Sequence, residues 1–148
     1  MAERFGASVE IDRPIDEVFD FLAAGVNDPK FSKRVLEIKQ TTDGPPGVET
    51  VFESTVKDAG MKSHREIKLT EFERPTKIRW TEISKNSVTS SDGGYDLAPA
   101  GEGKTTLTFF NELEGHGFGK LIVGFALRSA RKGEDDFAQA IKAAVEAS

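Results

Sequence analysis

The stretch from Phe118 to Ala147, FGKLIVGFALRSARKGEDDFAQAIKAAVEA, decides the fold. It contains no proline and would form a helix roughly 40 Å long at 1.5 Å per residue. Its apolar and small residues recur at helical spacing, opposite a face of charged and amide side chains. The predicted buried face consists of Ile122, Ala126, Ala130, Gly133, Phe137, Ile141 and Ala144. We therefore predict one long amphipathic helix against which the rest of the chain packs.

The middle of this predicted face carries only Ala126, Ala130 and Gly133, where a tightly packed helix usually has Leu or Ile. Small residues leave a shallow groove in the surface of a helix. Large side chains from a facing sheet could fill that groove, as in an ordinary core, or the groove could form one wall of a ligand cavity. The periodicity leaves both interpretations open.

The composition predicts a single globular domain spanning residues 1–148. The chain has 37% hydrophobic and 30% charged residues, a net charge of −5 and no cysteine. The acidic balance argues against a nucleic-acid surface, and the lack of an apolar run of 18 residues argues against a membrane span. Because the first residues lack the apolar core of a signal peptide, we expect a cytoplasmic protein.

The rest of the chain predicts one strand, two short helices and a series of strands. Alternation from Phe5 to Ile11 predicts the first strand; Pro14 and the spacing from Ile15 predict a helix ending near Gly25; and Asn27-Asp28-Pro29 begins a second short turn or helix anchored by Phe31. Six strands follow, at Val35–Thr41, Thr50–Lys57, Lys62–Phe72, Lys77–Ile83, Ser87–Leu97 and Lys104–Leu113. Short turns between them predict an antiparallel meander, in which a bulge, if one interrupts the alternation, is expected at Gly93-Gly94.

Alternation within the strands predicts which side chains face the long helix. The inward set includes Phe52, Arg65, Ile67, Trp80, Glu82, Tyr95, Phe109 and Asn111. Buried charges are costly unless they are paired or face water. Two interpretations stay open for the polar members: Arg65 and Glu82 form an internal ion pair, or the polar side chains orient the polar end of a ligand.

Three segments resemble the START-like helix-grip superfamily, and within it the polyketide cyclase/dehydrase and lipid-transport group. They are Val9–Leu22, Glu71–Trp80 and Tyr95–Thr108. The resemblance implies an α+β helix-grip fold: a curved antiparallel sheet of about seven strands wrapped around a long C-terminal helix, with two short helices after the first strand. It also implies an apolar cavity between sheet and helix.

With that cavity in mind, we expect the inward set above to bind a hydrophobic ligand together with Ile122, Ala126 and Ala130 of the long helix. No catalytic signature unites the family, so no catalytic residue is assigned. A metal site is not expected, because His64 and His116 are the only histidines, lie on different predicted elements and have no thiolates to complete a set. We expect no cofactor.

Three functions remain. The first is binding or transport of a lipid-like or polyketide-like molecule in the cavity. The second is a cyclase or dehydratase that positions such a molecule and uses Tyr95, Glu82 or Arg65 for acid–base chemistry. The third is a protein-interaction module whose cavity is filled and whose outer surface carries an apolar patch. The oligomeric state and the identity of the ligand are left open.

Overall fold

The computed structural model describes residues 3–58 and 60–148, which form seven strands, two α-helices and one 3-10 helix. The strands are β1 Glu3–Ile11, β2 Val35–Gln40, β3 Val51–Asp58, β4 Met61–Glu73, β5 Lys77–Glu82, β6 Val88–Pro99 and β7 Thr105–Gly115. The helices are α1 Ile15–Ala23, the 3-10 helix Gly25–Lys30 and α2 Gly119–Glu146. No helix in these ranges is long and apolar enough to cross a membrane.

The sheet is antiparallel throughout, in the order β1-β7-β6-β5-β4-β3-β2. Strands β2 to β7 therefore form the predicted meander, and β1 returns to pair with β7 from Glu3↔Leu113 to Ile11↔Thr105. The two short helices follow β1, and the long helix follows β7. This curved sheet with its long C-terminal helix confirms the predicted α+β helix-grip fold.

The irregularity of β6 lies not at Gly93-Gly94, the place expected for a bulge, but between Ser90 and Asp92, where the β6–β7 register shifts. The two glycines have a different use. A Cβ on Gly93 would lie 2.3 Å from Trp80 Nε1, and a Cβ on Gly94 would lie 2.3 Å from a backbone oxygen of β5. A side chain at Gly93 would collide with the Trp80 and Asn111 side chains, and one at Gly94 would collide with the backbone of β5.

Helix α2 buries a face rotated from the predicted one. Its fully buried residues are Gly119, Leu127, Ala138, Ile141 and Val145. Ala126, Ala130 and Phe137 are half-buried, whereas Ile122 is 51% exposed and Gly133 is exposed. The prediction was therefore wrong for Ile122 and Gly133. The physical reason is that the first half of α2 carries two apolar stripes, and helical periodicity alone cannot choose between them.

Polar side chains of α2 bind the free backbone edge of β1. The residues of β1 that take part are alternate ones, whose peptide groups point away from β7. The bonds are Arg131 Nη2 to Arg4 O (2.9 Å), Gly6 N to Glu134 Oε2 (2.9 Å), Lys142 Nζ to Glu10 O (3.0 Å) and Asp12 N to Glu146 Oε2 (2.9 Å). The helix thus covers an edge strand that would otherwise be open to pairing with another chain.

The hydrophobic core is concentrated at one end of the sheet. We call this the closed end; it holds the β4–β5 and β6–β7 turns and the C-terminal half of α2. Its fully buried side chains include Ile11, Phe19, Ile78, Leu107 and Ile141. The opposite end, which we call the open end, holds the β3–β4 and β5–β6 turns and the β7–α2 loop. Packing is thus complete only at the closed end.

Candidate functional site

The strand register brings the eight predicted inward residues onto one continuous face of the sheet. The pairs that connect them are Phe52↔Ile67, Ile67↔Glu82, Tyr95↔Phe109, Trp80↔Gly93 and Gly93↔Asn111. Arg65 lies opposite Ser54 on the same face. Phe52, Tyr95 and Phe109 are buried, and the other five residues are half-buried.

Arg65 and Glu82 form the internal ion pair that the sequence left as one of two interpretations. The Glu82 side chain is only 2% exposed. Its carboxylate accepts hydrogen bonds from Arg65 Nη1 (3.1 Å), Ser84 Oγ (2.7 Å), Asn86 Nδ2 (2.9 Å) and Ser90 N (3.0 Å). Because these donors occupy both oxygens, Glu82 has little capacity left to bind a ligand.

Arg65 and Asn111 continue this polar cluster across the sheet. Arg65 also donates to Ser63 Oγ at 3.1 Å and to Val88 O at 2.6 Å. At the other side of the cluster, the hydroxyl of Ser90 donates to Asn111 Oδ1. The result is a chain of hydrogen bonds from β4 to β7 in which the polar groups bind one another.

Trp80 is the main apolar surface of the face. Its ring packs edge-on against Tyr95 with centroids 5.0 Å apart, and its Nε1 and Asn111 Oδ1 both lie within 2.5 Å of where a Gly93 Cβ would be. The absent side chain lets the indole lie flat against β6. Trp80 itself is only half-buried, so part of the ring remains available for contact.

Tyr95 and Asp28 are interior titratable residues whose side chains form no hydrogen bond with another described residue. Burial raises the pKa of Asp28 to about 7. Burial, followed by the nearby charge of Asp28, raises the pKa of Tyr95 well above its usual value. The two groups are therefore neighbours in a desolvated environment, and no protein group satisfies either of them.

Asp28 keeps part of its surface exposed, yet the surrounding protein desolvates its carboxyl group. A group at the wall of an opening would combine partial exposure with desolvation, because solvent reaches one side of it and protein surrounds the rest. In the described part of the chain, no enclosed side-chain nitrogen or oxygen lacks a hydrogen-bond partner. The unbonded oxygens of Asp28 and Tyr95 therefore keep some contact with solvent.

A row of aromatic rings packs between α2 and the sheet. Phe137 of α2 packs edge-on against Phe31 at 5.6 Å and against Phe109 at 5.0 Å, and Phe109 packs against Phe5 at 6.4 Å. Beyond Phe137, toward the open end, α2 carries the half-buried Ala126 and Ala130 beside the buried Leu127. The groove predicted from these alanines thus lies on the open side of the aromatic row.

Two of the predicted ligand residues are less suited to that role than the sequence indicated. Ile122 lies at the exposed start of α2, and Glu82 is saturated by protein donors. Asp28 was missed as a site residue, because its sequence context, Asn27-Asp28-Pro29, is that of an ordinary turn. Only the tertiary structure places it beside Tyr95, and no signal in the local sequence predicts that contact.

The histidines take no part in this face. His64 is exposed on the opposite face of β4, 3.3 Å from Glu66 Oε1, and His116 Nε2 lies 2.8 Å from Thr89 Oγ1. Among residues 3–58 and 60–148, no group of three or more His, Cys, Asp or Glu side chains is arranged to hold a metal ion.

Several solved structures share this architecture at low sequence identity. The Zhui aromatase/cyclase from a Streptomyces species superposes with a TM-score of 0.81 at 13% identity, covering 99% of this chain and 94% of that one. A protein from Thermus thermophilus gives 0.80 at 15% identity, covering 98% of both chains. A START superfamily protein from Mycobacterium smegmatis gives 0.74 at 14% identity, covering 97% of both. At these identities the similarity establishes the fold.

Sequence comparison gives the family. No curated protein is similar enough to this chain to count as a relative. Residues 2–146, however, match the family model described as polyketide cyclase/dehydrase and lipid transport. That match extends over nearly the whole chain and agrees with the resemblance seen in the three sequence segments. The chain therefore belongs to the polyketide cyclase/dehydrase and lipid transport family.

Proposed function

We propose that this protein binds a hydrophobic small molecule, lipid-like or polyketide-like, in the space between the inner sheet face and the first half of α2. The observation that carries the proposal is the pair Asp28 and Tyr95, which lie in a desolvated environment and form no side-chain hydrogen bond with another described residue. Leaving such groups without a partner costs free energy. A ligand with one polar group would remove that cost.

The apolar part of the ligand has matching walls. Trp80, Phe52, Ile67 and Phe109 line the sheet side, and Ala126 and Ala130 leave room on the helix side. Arg65, Glu82 and Asn111 border the space but bind mainly one another. In this proposal the ligand's hydroxyl or carbonyl group meets Tyr95 and Asp28, and the rest of the ligand stacks on Trp80.

Two matched probes test this arrangement. Trp80 is the only tryptophan and contacts Tyr95, so its emission reports on the site. We expect 2-naphthol and 2-methylnaphthalene both to change that emission. Tyr95→Phe should weaken binding of 2-naphthol by about threefold to tenfold, the value of one hydrogen bond, and leave 2-methylnaphthalene unaffected.

Controls separate the site from general stickiness. Asp28→Asn should also change the affinity for 2-naphthol, whereas Asp43→Asn, at an exposed position, should not. Native mass spectrometry of freshly purified protein, followed by extraction, would identify any ligand carried from the cell. The proposal is wrong if neither probe alters Trp80 emission and the protein carries no apolar molecule.

A cyclase or dehydratase is the second candidate, and the pKa of about 7 at Asp28 favours it. A carboxyl that titrates near neutrality can act as both base and acid. In a β-hydroxy ketone, Asp28 would remove the proton next to the carbonyl while the Tyr95 hydroxyl donates to the carbonyl oxygen. The protonated Asp28 would then return the proton to the departing hydroxyl, so that water leaves and a double bond forms.

The two candidates differ in what Asp28→Asn does. If the protein only binds, the substitution changes affinity and no turnover exists to be lost. If it catalyses dehydration, the substitution abolishes turnover of a β-hydroxy ketone while Trp80 still reports binding, and the wild-type rate rises as Asp28 loses its proton near pH 7.

The remaining expectations stay proposals with partial support. We take residues 1–148 to act as one domain, supported by the single sheet and the match over residues 2–146. The absence of cysteine supports a cytoplasmic location, and the net charge of −5 supports the expectation that nucleic acid is not a partner.

A further inference from the structure

The first half of α2 carries an exposed apolar stripe that the ligand site does not use. Phe118, just before the helix, is 84% exposed; Leu121 is 81%, Ile122 51% and Phe125 75% exposed. These positions follow i, i+3, i+4 and i+7, so they lie on one face of the helix. Four adjacent large apolar side chains in water indicate an interaction surface rather than scattered exposure.

Other exposed apolar side chains lie at the same end of the molecule. Met61 begins β4 and is 75% exposed, and Ile83 directly follows β5 and is 47% exposed. Both belong to turns of the open end. Six of the nine exposed large hydrophobic residues of the described chain are therefore gathered there.

The charge around the stripe is opposite to that of the whole protein. Residues 115–133 contain Lys120, Arg128, Arg131 and Lys132 and no acidic residue. This stretch carries +4 in a chain whose net charge is −5, so the remainder carries −9. The partner that fits is both apolar and negatively charged.

Spacing along the helix separates the apolar and basic parts. Arg128 and Lys132 continue the stripe three and seven residues after Phe125, which places them about 5 and 10 Å further along the axis. An amphipathic helix buries its apolar side chains about 5–10 Å into a bilayer. Cations at a similar distance from those side chains then lie at the level of the headgroups. A groove of about 490 Å³ beside the stripe is lined by Arg128, Arg131 and Lys132, with Glu3 at its edge.

From this arrangement we infer that the open end of the protein docks on the surface of an anionic lipid bilayer through Phe118, Leu121, Ile122 and Phe125, with Arg128 and Lys132 at the phosphate headgroups. A second copy of the chain fits less well. A symmetric dimer through this face would bring the two basic stretches together. The inference does not depend on the proposed ligand.

Vesicle co-sedimentation tests the inference without any ligand. We expect the protein to bind vesicles of phosphatidylcholine with about 30% phosphatidylglycerol and to bind pure phosphatidylcholine much more weakly. Arg128→Gln with Lys132→Gln should weaken binding roughly thirtyfold, as expected for two cations near the surface. The control pair Lys33→Gln with Lys39→Gln, at exposed positions elsewhere, should change binding little.

The apolar stripe has its own variant pair. Leu121→Ser with Phe125→Ser should reduce binding at least tenfold, whereas Val26→Ser with Val48→Ser, also exposed, should not. All four positions are exposed, so circular dichroism should show an unchanged fold. The inference is overturned if the wild-type protein ignores anionic vesicles, if the stripe variant binds normally, or if the stripe variant instead converts a dimer to a monomer in light scattering.

Discussion

Glu82, on the sheet, and Asp28, in the 3-10 helix, are two carboxylates with opposite surroundings. Glu82 accepts four kinds of donor from the protein, including Arg65 Nη1 at 3.1 Å. Asp28 accepts none among the described residues, and burial raises its pKa to about 7. Hydrogen bonding keeps the first group in a structural role, and its absence leaves the second group free to meet a ligand.

Removing Glu82 should therefore destabilise the fold. Glu82→Leu leaves Arg65 without its partner, and breaking a buried pair costs about 3 kcal/mol or more. Arg65→Met combined with Glu82→Leu removes both charges and should be the less destabilised variant of the two. Urea unfolding measures both. Equal stability of wild-type protein and Glu82→Leu would contradict the structural role.

Asp28 should make stability depend on pH. Its pKa is raised from 3.8 to about 7 on folding, so between these values the folded state holds more protons than the unfolded state. Stability then falls as pH rises through this range and stays lower above it, by up to about 4 kcal/mol.

Asp28→Asn cannot ionise, so it removes this dependence. We expect the variant to be more stable than wild-type protein at pH 8 and much closer to it at pH 4, where residue 28 is neutral in both folded proteins. Thermal unfolding at the two pH values measures this, with Asp43→Asn as the control. A stability difference that does not change between pH 4 and pH 8 would show that Asp28 is not desolvated.

At the scale of the element, α2 behaves as two halves. The C-terminal half buries Ala138, Ile141 and Val145, whereas the N-terminal half exposes Leu121 and Phe125. The existence and length of this helix could be predicted from its missing prolines and its periodicity. Its rotation could not, because in the first half both the buried and the exposed stripe are apolar.

The two halves should differ in hydrogen exchange. Few buried contacts hold the first half, so local opening there costs less free energy. We expect backbone amides of residues 123–128 to exchange at least roughly tenfold faster than those of residues 137–145. Mass spectrometry of exchanged peptides resolves the two regions. Uniform protection along α2 would mean that the first half is packed as firmly as the second.

At the scale of the whole molecule, packing is complete at the closed end and incomplete at the open end. The strand alternation in the sequence was sufficient to predict the inner face, because each strand has one apolar side. The partners across that face were not predictable. Asp28 lies near enough to Tyr95 for its charge to affect that residue, and Glu82 accepts a hydrogen bond from Ser90 N. Both relations arise only from the three-dimensional arrangement of the elements.

Equivalent truncations at the two ends should therefore have unequal effects. Ile141→Ala removes a fully buried side chain at the closed end and should cost about 2–5 kcal/mol. Ile122→Ala, at the open end, should stay within about 0.5 kcal/mol of wild-type stability. Chemical unfolding compares them directly. A large loss for Ile122→Ala would show that the exposed stripe packs on the protein in solution.

The attachment of β1 has a consequence for how the protein forms during synthesis. β1 leaves the ribosome before its partners β7 and α2. The hydrogen bond of the Gly6 amide can form only once Glu134, 128 positions later, has been made. At about 5–20 residues per second, that delay is roughly 6–25 s. Until β7 has been made β1 has no strand partner, and until α2 follows its outer edge stays uncovered, so translation sets the earliest moment at which the sheet can close.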